Sequence, residues 1–319
     1  MNSTRAVERI RAYVRETPLV ESGHLGASAG TRLVLKLENC QETGSFKLRG
    51  AANKLLTLPR AETSRGVVAA SSGNHALGVA TIGRKLGIPV EIFLSKHVHP
   101  IKRRRIEAIG ARVREIQGDE LAAELAARDE AEVSGRPNVS PYNDSDVIEG
   151  QGTIAVEILR QLAEGKAEKL DAVFVAVGGG GLISGIGIAV KALSPSTRVI
   201  GVEVAASCPF TRSLAAGRLV TIDVGPSLAD GLTGNLDPDT ITLDIVRAVV
   251  DQVVVVDEPV LRRALAGVVT HEHLVIEGAA AAGPAAILDG QIELKGNVVV
   301  ILTGANIDAE KLTDALRSP

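Results

Sequence analysis

Lys47 occupies a position where a side-chain amine can become nucleophilic. It lies in the stretch 42–50, between a strand predicted at 33–37 and a helix predicted from residue 51. The positive end of a helix dipole and apolar neighbours disfavour the charged form of an amine. A neutral amine can bond covalently to a carbonyl compound at neutral pH. A surface lysine after a turn is the competing interpretation, but two further segments favour the catalytic one.

Four consecutive glycines form the first of these segments. Gly178, Gly179, Gly180 and Gly181 separate a buried strand predicted at 172–177 from a helix predicted at 186–193. Bare backbone amides before a helix can close around a phosphate, whose charge the helix dipole favours. A structural turn rarely needs more than one or two glycines, because each one raises the entropic cost of folding. The segment therefore predicts an anion site.

A second, smaller anion site is predicted after the strand at 67–70. The residues there are Ser71, Ser72, Gly73, Asn74 and His75, and a helix is predicted at 76–86. Their hydroxyls and the first amides of the helix suit a carboxylate. An ordinary helix N-cap is the alternative for this segment taken alone.

Together these segments resemble the pyridoxal-phosphate (PLP) enzymes of the threonine/serine dehydratase and serine racemase family, called fold type II. The matching residues are 44–51, 71–75, 178–182 and 302–306, and the order and spacing agree over nearly the whole chain. The resemblance implies an α/β fold like that of the tryptophan synthase β subunit, with two doubly wound parallel-sheet domains and the cofactor between them. It places residues 1–52 and 145–319 in a large domain and residues 53–144 in a small one.

The resemblance also assigns the cofactor contacts. Lys47 would hold PLP covalently, Phe46 and Gly231 would lie near the two faces of its ring, and Asn74 would bond the ring hydroxyl. Thr303 would lie beside the pyridine nitrogen. The residues assigned to the phosphate are Gly178, Gly179, Gly180, Gly181 and Leu182. A neutral hydroxyl at Thr303 stabilises a protonated pyridinium less than a carboxylate does, which favours elimination over transamination.

The implied reaction is α,β-elimination on a β-hydroxy amino acid such as L-threonine or L-serine, giving a 2-oxo acid and ammonia. Lys47 would remove the α-proton, and the leaving hydroxyl would be protonated through the cofactor phosphate. Substrate contacts are implied for Ser71, Ser72, Gly73, Asn74 and His75. Ser72 also matches the second proton donor of the racemases, so amino-acid racemisation is an alternative. Because the segments 141–143 and 232–235 depart from the common pattern, a dehydratase of hydroxyectoine utilisation is a further candidate.

Metal and dinucleotide sites are both disfavoured. Many family members bind a divalent cation through a glutamate, a carbonyl and an aspartate. Here Glu203 is retained, but Ser207 and Pro209 occupy the other two positions, so no metal is predicted. An NAD-binding protein is the alternative from another class, because the glycines at 179, 181 and 185 form a loose dinucleotide pattern. That alternative leaves Lys47 unexplained.

The composition is that of an α/β protein. With 319 residues, 45% of them apolar, the chain can bury a large core, and its net charge of −3 does not indicate a nucleic-acid partner. No apolar run reaches the length of a membrane span. Cys40 and Cys208 provide no disulfide framework, which favours the cytoplasm. We also expect a homodimer. No regulatory domain is expected after the helix predicted at 308–317.

Strands alternate with helices along the chain, which predicts parallel sheets covered on both faces. The predicted strands are 33–37, 67–70, 90–94, 112–116, 172–177, 198–204, 252–256 and 297–302. An amphipathic helix is predicted at 1–16, and a second one contains the basic run 102–105, which therefore indicates a solvated face. His271 and His273 are two positions apart on a predicted helix and would point in different directions, which disfavours a metal site there.

Overall fold

The computed structural model describes residues 1–96, 98, 100–165 and 169–317. The strands are β1 (Leu19–Glu21), β2 (Arg32–Leu37), β3 (Val67–Ala70), β4 (Val90–Ser95), β5 (Arg112–Ile116), β6 (Ala172–Ala176), β7 (Arg198–Val204), β8 (Gln252–Val256) and β9 (Asn297–Leu302). All the predicted strands are present, with bounds that differ by one residue at most. β1 was not predicted, because its three residues are too few to show a strand period.

The described helices fill the connections between these strands. They are α1 (Ser3–Ile10), α2 (Gly23–Ala29), α3 (Lys47–Thr57), α4 (Arg60–Thr63), α5 (Asn74–Leu86), α6 (Pro100–Ile109), α7 (Glu120–Ser134), α8 (Ser145–Glu164), α9 (Gly181–Leu193), α10 (Pro209–Ala216), α11 (Thr242–Val249), α12 (Glu258–His271), α13 (Ala282–Asp289) and α14 (Ala309–Arg317). Short 3-10 helices cover Glu38–Cys40, Asp230–Leu232 and Gly278–Ala281. In the described chain, no helix combines the length and apolarity that a bilayer crossing requires.

Two sheets organise the molecule. The larger has the order β1-β2-β9-β6-β7-β8 and is parallel except for β1, and the smaller has the order β3-β4-β5 and is parallel. Side chains alternate between the faces of a strand, so Leu33 and Leu35 of β2 enter the core beneath α12 and α13, whereas Val34 enters the core beneath α8 and α9. Both faces of the large sheet are therefore buried. The small sheet is covered by α5 on one face and α7 on the other.

The predicted site segments follow the carboxyl ends of parallel strands. Residues 71–75 follow β3, residues 178–181 follow β6, and Thr303 follows β9. The segment before Lys47 is joined to β9, since Phe46 N donates to Thr303 O at 3.1 Å and Ser45 pairs with Gly304. In open parallel sheets this edge is where ligands bind.

Three predicted helix starts were too late along the chain, and α1 ends earlier than predicted. α3 begins at Lys47 itself, α5 at Asn74 and α9 at Gly181. Glycine has a low helix propensity, so the helix was predicted to begin after the glycines. The packing of α9 nevertheless requires a glycine. A Cβ atom at position 185 would lie 2.2 Å from the carbonyl oxygen of Ile148, so the close packing of α9 on α8 requires Gly185. α3 runs through residues 52 and 53, and the domain boundary predicted there stays a prediction.

The two histidines near residue 272 do not share a helix. α12 ends at His271, and His273 has a positive φ of 58° in the following loop. The predicted helical geometry was therefore wrong. The ring of His271 stacks on His24 with a centroid distance of 4.1 Å.

Candidate active site

One cavity of about 620 Å³ lies at the carboxyl ends of the strands, a size typical of small-molecule sites. Residues from both sheets line it. Every residue that the sequence analysis assigned to the site is among them: Phe46, Lys47, Ser71, Ser72, Gly73, Asn74, His75, Gly178, Gly179, Gly180, Gly181, Leu182, Gly231 and Thr303. The sequence segments are thus brought together in space, although the role of each residue stays a prediction.

Lys47 is the first residue of α3, and its amine reaches the cavity. Its Nζ donates to the carbonyl oxygen of Pro141 at 2.8 Å and lies 5.3 Å from the ring centroid of Phe46. Burial lowers the pKa of Lys47 to about 8, against the opposing attraction of Glu124 and Glu277. Roughly a tenth of the amine is then neutral at pH 7, which is sufficient for nucleophilic attack.

The glycine loop is shaped by close packing. Gly180 has a φ of 85°, in the region that side chains disfavour, and a Cβ atom there would lie 2.5 Å from Phe210 Cζ. A Cβ atom at Gly179 would lie 2.4 Å from the ring of Tyr142. The first amides of α9 have no acceptor one turn back in the helix. These amides can therefore serve as an anion cradle, which a larger residue would obstruct.

Thr303 tests whether the cavity fits PLP. Its side chain is buried, and its hydroxyl has no hydrogen-bond partner among the described residues. A buried hydroxyl without a partner is costly, so this one calls for a ligand atom that can share a hydrogen bond. A ring nitrogen meets that need, a phosphate fits the cradle before α9, and an aldehyde fits the amine of Lys47. The chemistry of these donors therefore fits PLP.

The side chain of Asn74 is already engaged by two neighbours. Its Nδ2 donates to both carboxylate oxygens of Glu277, at 2.8 and 2.9 Å, and its Oδ1 accepts from Asn306 Nδ2 at 2.7 Å. Burial raises the pKa of Glu277 to about 7. The predicted bond from Asn74 to the ring hydroxyl would have to share this network.

His75 is buried, and its ring N–H is bonded to a backbone carbonyl rather than available to an anion. Its Nε2 lies 2.7 Å from the carbonyl oxygen of Val139, which requires Nε2 to carry the hydrogen. Burial, together with the charge of Lys47, lowers the pKa of His75 to about 3. The ring is therefore neutral, with Nδ1 as an acceptor. If His75 contributes to carboxylate binding, its backbone N–H at the start of α5 is the group that does so.

The two serines before α5 differ in their contacts. Ser71 Oγ accepts from Gly73 N at 3.1 Å and so shapes the turn. Ser72 Oγ donates to Glu120 Oε1 at 2.5 Å, at the start of α7. The hydroxyl that resembles the racemase proton donor is thus linked to an exposed carboxylate.

The acidic and aromatic residues that reach the cavity from distant segments were not predicted from the sequence. Glu120, Glu124, Tyr142 and Glu277 all line it. α7 has an Ala- and Glu-rich sequence typical of a surface helix, so nothing local distinguishes Glu124 from the other acidic residues of α7. A departure from the common pattern at 141–143 was the only sequence signal for Tyr142.

The carboxylate of Glu203 is occupied by protein donors. It is buried and accepts from Phe210 N and Thr211 N, both at 2.8 Å, and from Thr211 Oγ1 at 2.6 Å. Ser207 Oγ bonds the backbone of Gly234. Within the described ranges, no three His, Cys, Asp or Glu side chains are grouped to hold a metal ion. The residues therefore do not fit the cation site of the family.

Chelator treatment should leave activity and melting temperature unchanged. A hard divalent cation needs several oxygen ligands, usually with more than one carboxylate, and Glu203 instead holds the first turn of α10. The measurement is thermal unfolding and turnover with EDTA, then with added Mg²⁺ or Ca²⁺. A loss with EDTA that either cation restores would contradict the prediction and indicate that Asp223 or another carboxylate replaces the missing ligand.

A helix-borne lysine, a glycine loop suited to a phosphate and a buried hydroxyl at the carboxyl ends of parallel strands are the features expected of a PLP-dependent enzyme. A family model described as "Pyridoxal-phosphate dependent enzyme" matches residues 10–304. The chain belongs to this family. The predicted fold type, family and cofactor are thereby confirmed, and the NAD alternative is disfavoured.

Individual relatives are dehydratases and racemases. The chain is 38% identical to an L-threonine ammonia-lyase of Thermotoga maritima, with 96% of this chain and 75% of the relative covered. A maize serine racemase structure superposes with a TM-score of 0.90 at 32% identity, covering 99% and 95% of the two chains. A threonine deaminase structure from T.th. gives a TM-score of 0.87 at 37% identity, covering 96% and 97%.

Proposed function

We propose that this enzyme is an ammonia-lyase (dehydratase) that acts by α,β-elimination on a β-hydroxy amino acid such as L-threonine or L-serine, giving a 2-oxo acid and ammonia. The observation that carries the proposal is that one cavity contains both the Lys47 amine and the neutral hydroxyl of Thr303, which has no hydrogen-bond partner among the described residues. Threonine ammonia-lyases and deaminases among the relatives support it. Serine racemases are also present among them, which keeps racemisation as the second candidate.

The residues that the family resemblance assigned to the cofactor all line the cavity. We propose Phe46 and Gly231 at the ring faces, Thr303 at the ring nitrogen and Asn74 at the ring hydroxyl. The phosphate would be held by the backbone amides of Gly178, Gly179, Gly180, Gly181 and Leu182. When bound, PLP supplies an electron sink that stabilises negative charge at the substrate Cα.

The chain's own residues supply orientation and proton transfer. Amides and hydroxyls of residues 71–75 at the start of α5 would hold the substrate carboxylate, which fixes the direction of the Cα–H bond. The neutral amine of Lys47 would take the α-proton, because its lowered pKa of about 8 makes the free base accessible. Because the side chain at position 303 carries a hydroxyl and not a carboxylate, departure of the β-substituent is favoured over transamination.

A panel of β-hydroxy amino acids tests this function. The purified PLP-loaded protein would be given L-threonine, L-serine, hydroxyaspartate and a hydroxyectoine-derived β-hydroxy amino acid, with 2-oxo acid production and loss of chirality both followed. We expect 2-oxo acid from at least one of them. Loss of chirality without 2-oxo acid would reject the lyase in favour of the racemase.

Ser72→Ala should spare elimination more than racemisation. Only racemisation needs a proton donor on the face opposite Lys47, and Ser72 has a hydroxyl linked to Glu120 at 2.5 Å to serve as one. The measurement is the ratio of 2-oxo acid formation to Cα inversion, with the exposed Ser64→Ala as the control. Equal loss of both activities would indicate that Ser72 mainly positions the carboxylate.

We further propose a homodimer in the cytoplasm that has no nucleic-acid partner. The absence of a disulfide between the exposed Cys40 and the buried Cys208 is compatible with a reducing compartment. Light scattering of the purified protein measures the oligomeric state, and a monomeric mass would reject the dimer.

A further inference from the structure

The carboxyl group of Glu124 on α7 reaches the cavity and has no partner among the described residues. Glu120 and Glu124 are one turn apart on α7, and both line the cavity. Glu120 accepts the hydroxyl of Ser72 at 2.5 Å. Within the part of the chain that the structure describes, Glu124 forms no hydrogen bond or close ion pair. Its carboxyl is therefore available to a ligand beside the predicted carboxylate site.

The surroundings of Glu124 bring the pKa of its carboxyl close to neutral pH. The charged and titratable groups around it are Lys47, Glu120, Asp237, Arg128 and the hydroxyl of Tyr142. Burial raises the pKa of Glu124 to about 7, although Lys47 and Arg128 oppose the rise. Arg128 forms an ion pair with Asp237 at 3.1 Å. A carboxyl group in this state can donate a proton at neutral pH.

The Tyr142 hydroxyl holds the wall beside Glu124 in place. Its oxygen accepts from Asp237 N at 3.0 Å, and its ring packs where a Cβ atom on Gly179 would otherwise lie. Residues 141–142 therefore contact Lys47 through the Pro141 carbonyl and pack beside Gly179 through the Tyr142 ring. Glu124 lines the same cavity. Glu124 faces the same cavity as the amine that would take the α-proton.

We propose that Glu124 is a further catalytic residue, the general acid that protonates the departing β-hydroxyl; this rests on the proposed dehydratase function. The Cα–H proton goes to Lys47 and its electron pair forms the Cα=Cβ bond. The Cβ–O bond breaks, and the proton of Glu124 joins the oxygen, so that water leaves. The step leaves an ammonium at Lys47 and a carboxylate at Glu124, which attract each other. This route replaces protonation through the cofactor phosphate.

Glu124→Gln separates this role from a structural one, because glutamine keeps the shape and removes the acid. β-Chloro-L-alanine provides the comparison, since chloride leaves without a proton. We expect the kcat for L-threonine or L-serine to fall by about 10²-fold or more, while the kcat for β-chloro-L-alanine stays within about threefold of the wild-type value. The exposed Glu132→Gln on the same helix is the control and should change neither.

A readout apart from turnover confirms that the variant still loads its cofactor. Titration of the apoprotein with PLP, followed by absorbance, should give the same affinity in Glu124→Gln and wild type. Equal losses on hydroxy and chloro substrates would overturn the general-acid role. Unchanged turnover of the hydroxy substrate would do the same and leave the proton to the cofactor phosphate. A wild-type protein that eliminates only from β-chloro-L-alanine would instead overturn the proposed function and the role of Glu124 with it.

Discussion

Lys47→Ala should reduce turnover of β-hydroxy amino acids by more than about 10⁴-fold and abolish the yellow colour of the purified protein. The amine of Lys47 reaches the cavity, where its pKa is lowered to about 8 and it bonds the carbonyl oxygen of Pro141. We propose that it supplies both the covalent link to PLP and the base for the α-proton. No other lysine of the described chain faces the cavity from the same helix.

Borohydride and peptide mapping locate the covalent link independently of activity. Reduction of the wild-type protein should fix the cofactor to the peptide that contains Lys47. Lys54→Ala is the matched control, since Lys54 lies on the same helix and pairs with Asp144 at 2.8 Å, away from the cavity. Retention of more than trace activity in Lys47→Ala, or labelling of another lysine, would refute the assignment.

The strands and their attached site segments were predictable because their signals are local. β6 is a run of buried apolar residues that precedes the four glycines, and β9 is a buried run that is followed directly by Thr303. A parallel strand covered on both faces has this continuous apolar pattern. Since parallel strands share one carboxyl edge, predicting the strands also predicts that Lys47, the glycine loop and Thr303 lie close together.

The helix starts and the distant cavity residues were not predictable, because they depend on tertiary contacts. A Cβ atom at Gly50 would lie 2.3 Å from Gln151 Nε2, and one at Gly150 would lie 2.7 Å from the carbonyl oxygen of Arg49. These glycines let α3 and α8 approach closely, although glycine disfavours a helix when considered alone. Glu124 and Glu277 likewise reach Lys47 only through the packing of separate segments.

A buried ion network, which was not predicted from the sequence, lies next to the start of α3. Arg49 is fully buried; it donates to Glu38 at 2.8 and 2.9 Å and to Glu157 at 2.6 and 2.8 Å. Lys36, also fully buried, donates to Glu157 at 2.8 Å. Arg49 follows Lys47 by half a helical turn, so the network fixes the end of α3 that carries the reactive amine.

Arg49→Met should lower the free energy of unfolding by about 3–5 kcal/mol, because it leaves the buried carboxylate of Glu38 without a counter-charge. Chemical denaturation of the PLP-loaded protein measures the loss. Arg262→Met is the control: its pair with Asp314 is at the surface and should contribute about 0–1 kcal/mol. Adding Glu38→Gln to Arg49→Met should recover part of the stability, since it removes the uncompensated charge. A loss in Arg49→Met no larger than that of the control would show that the network contributes little to stability.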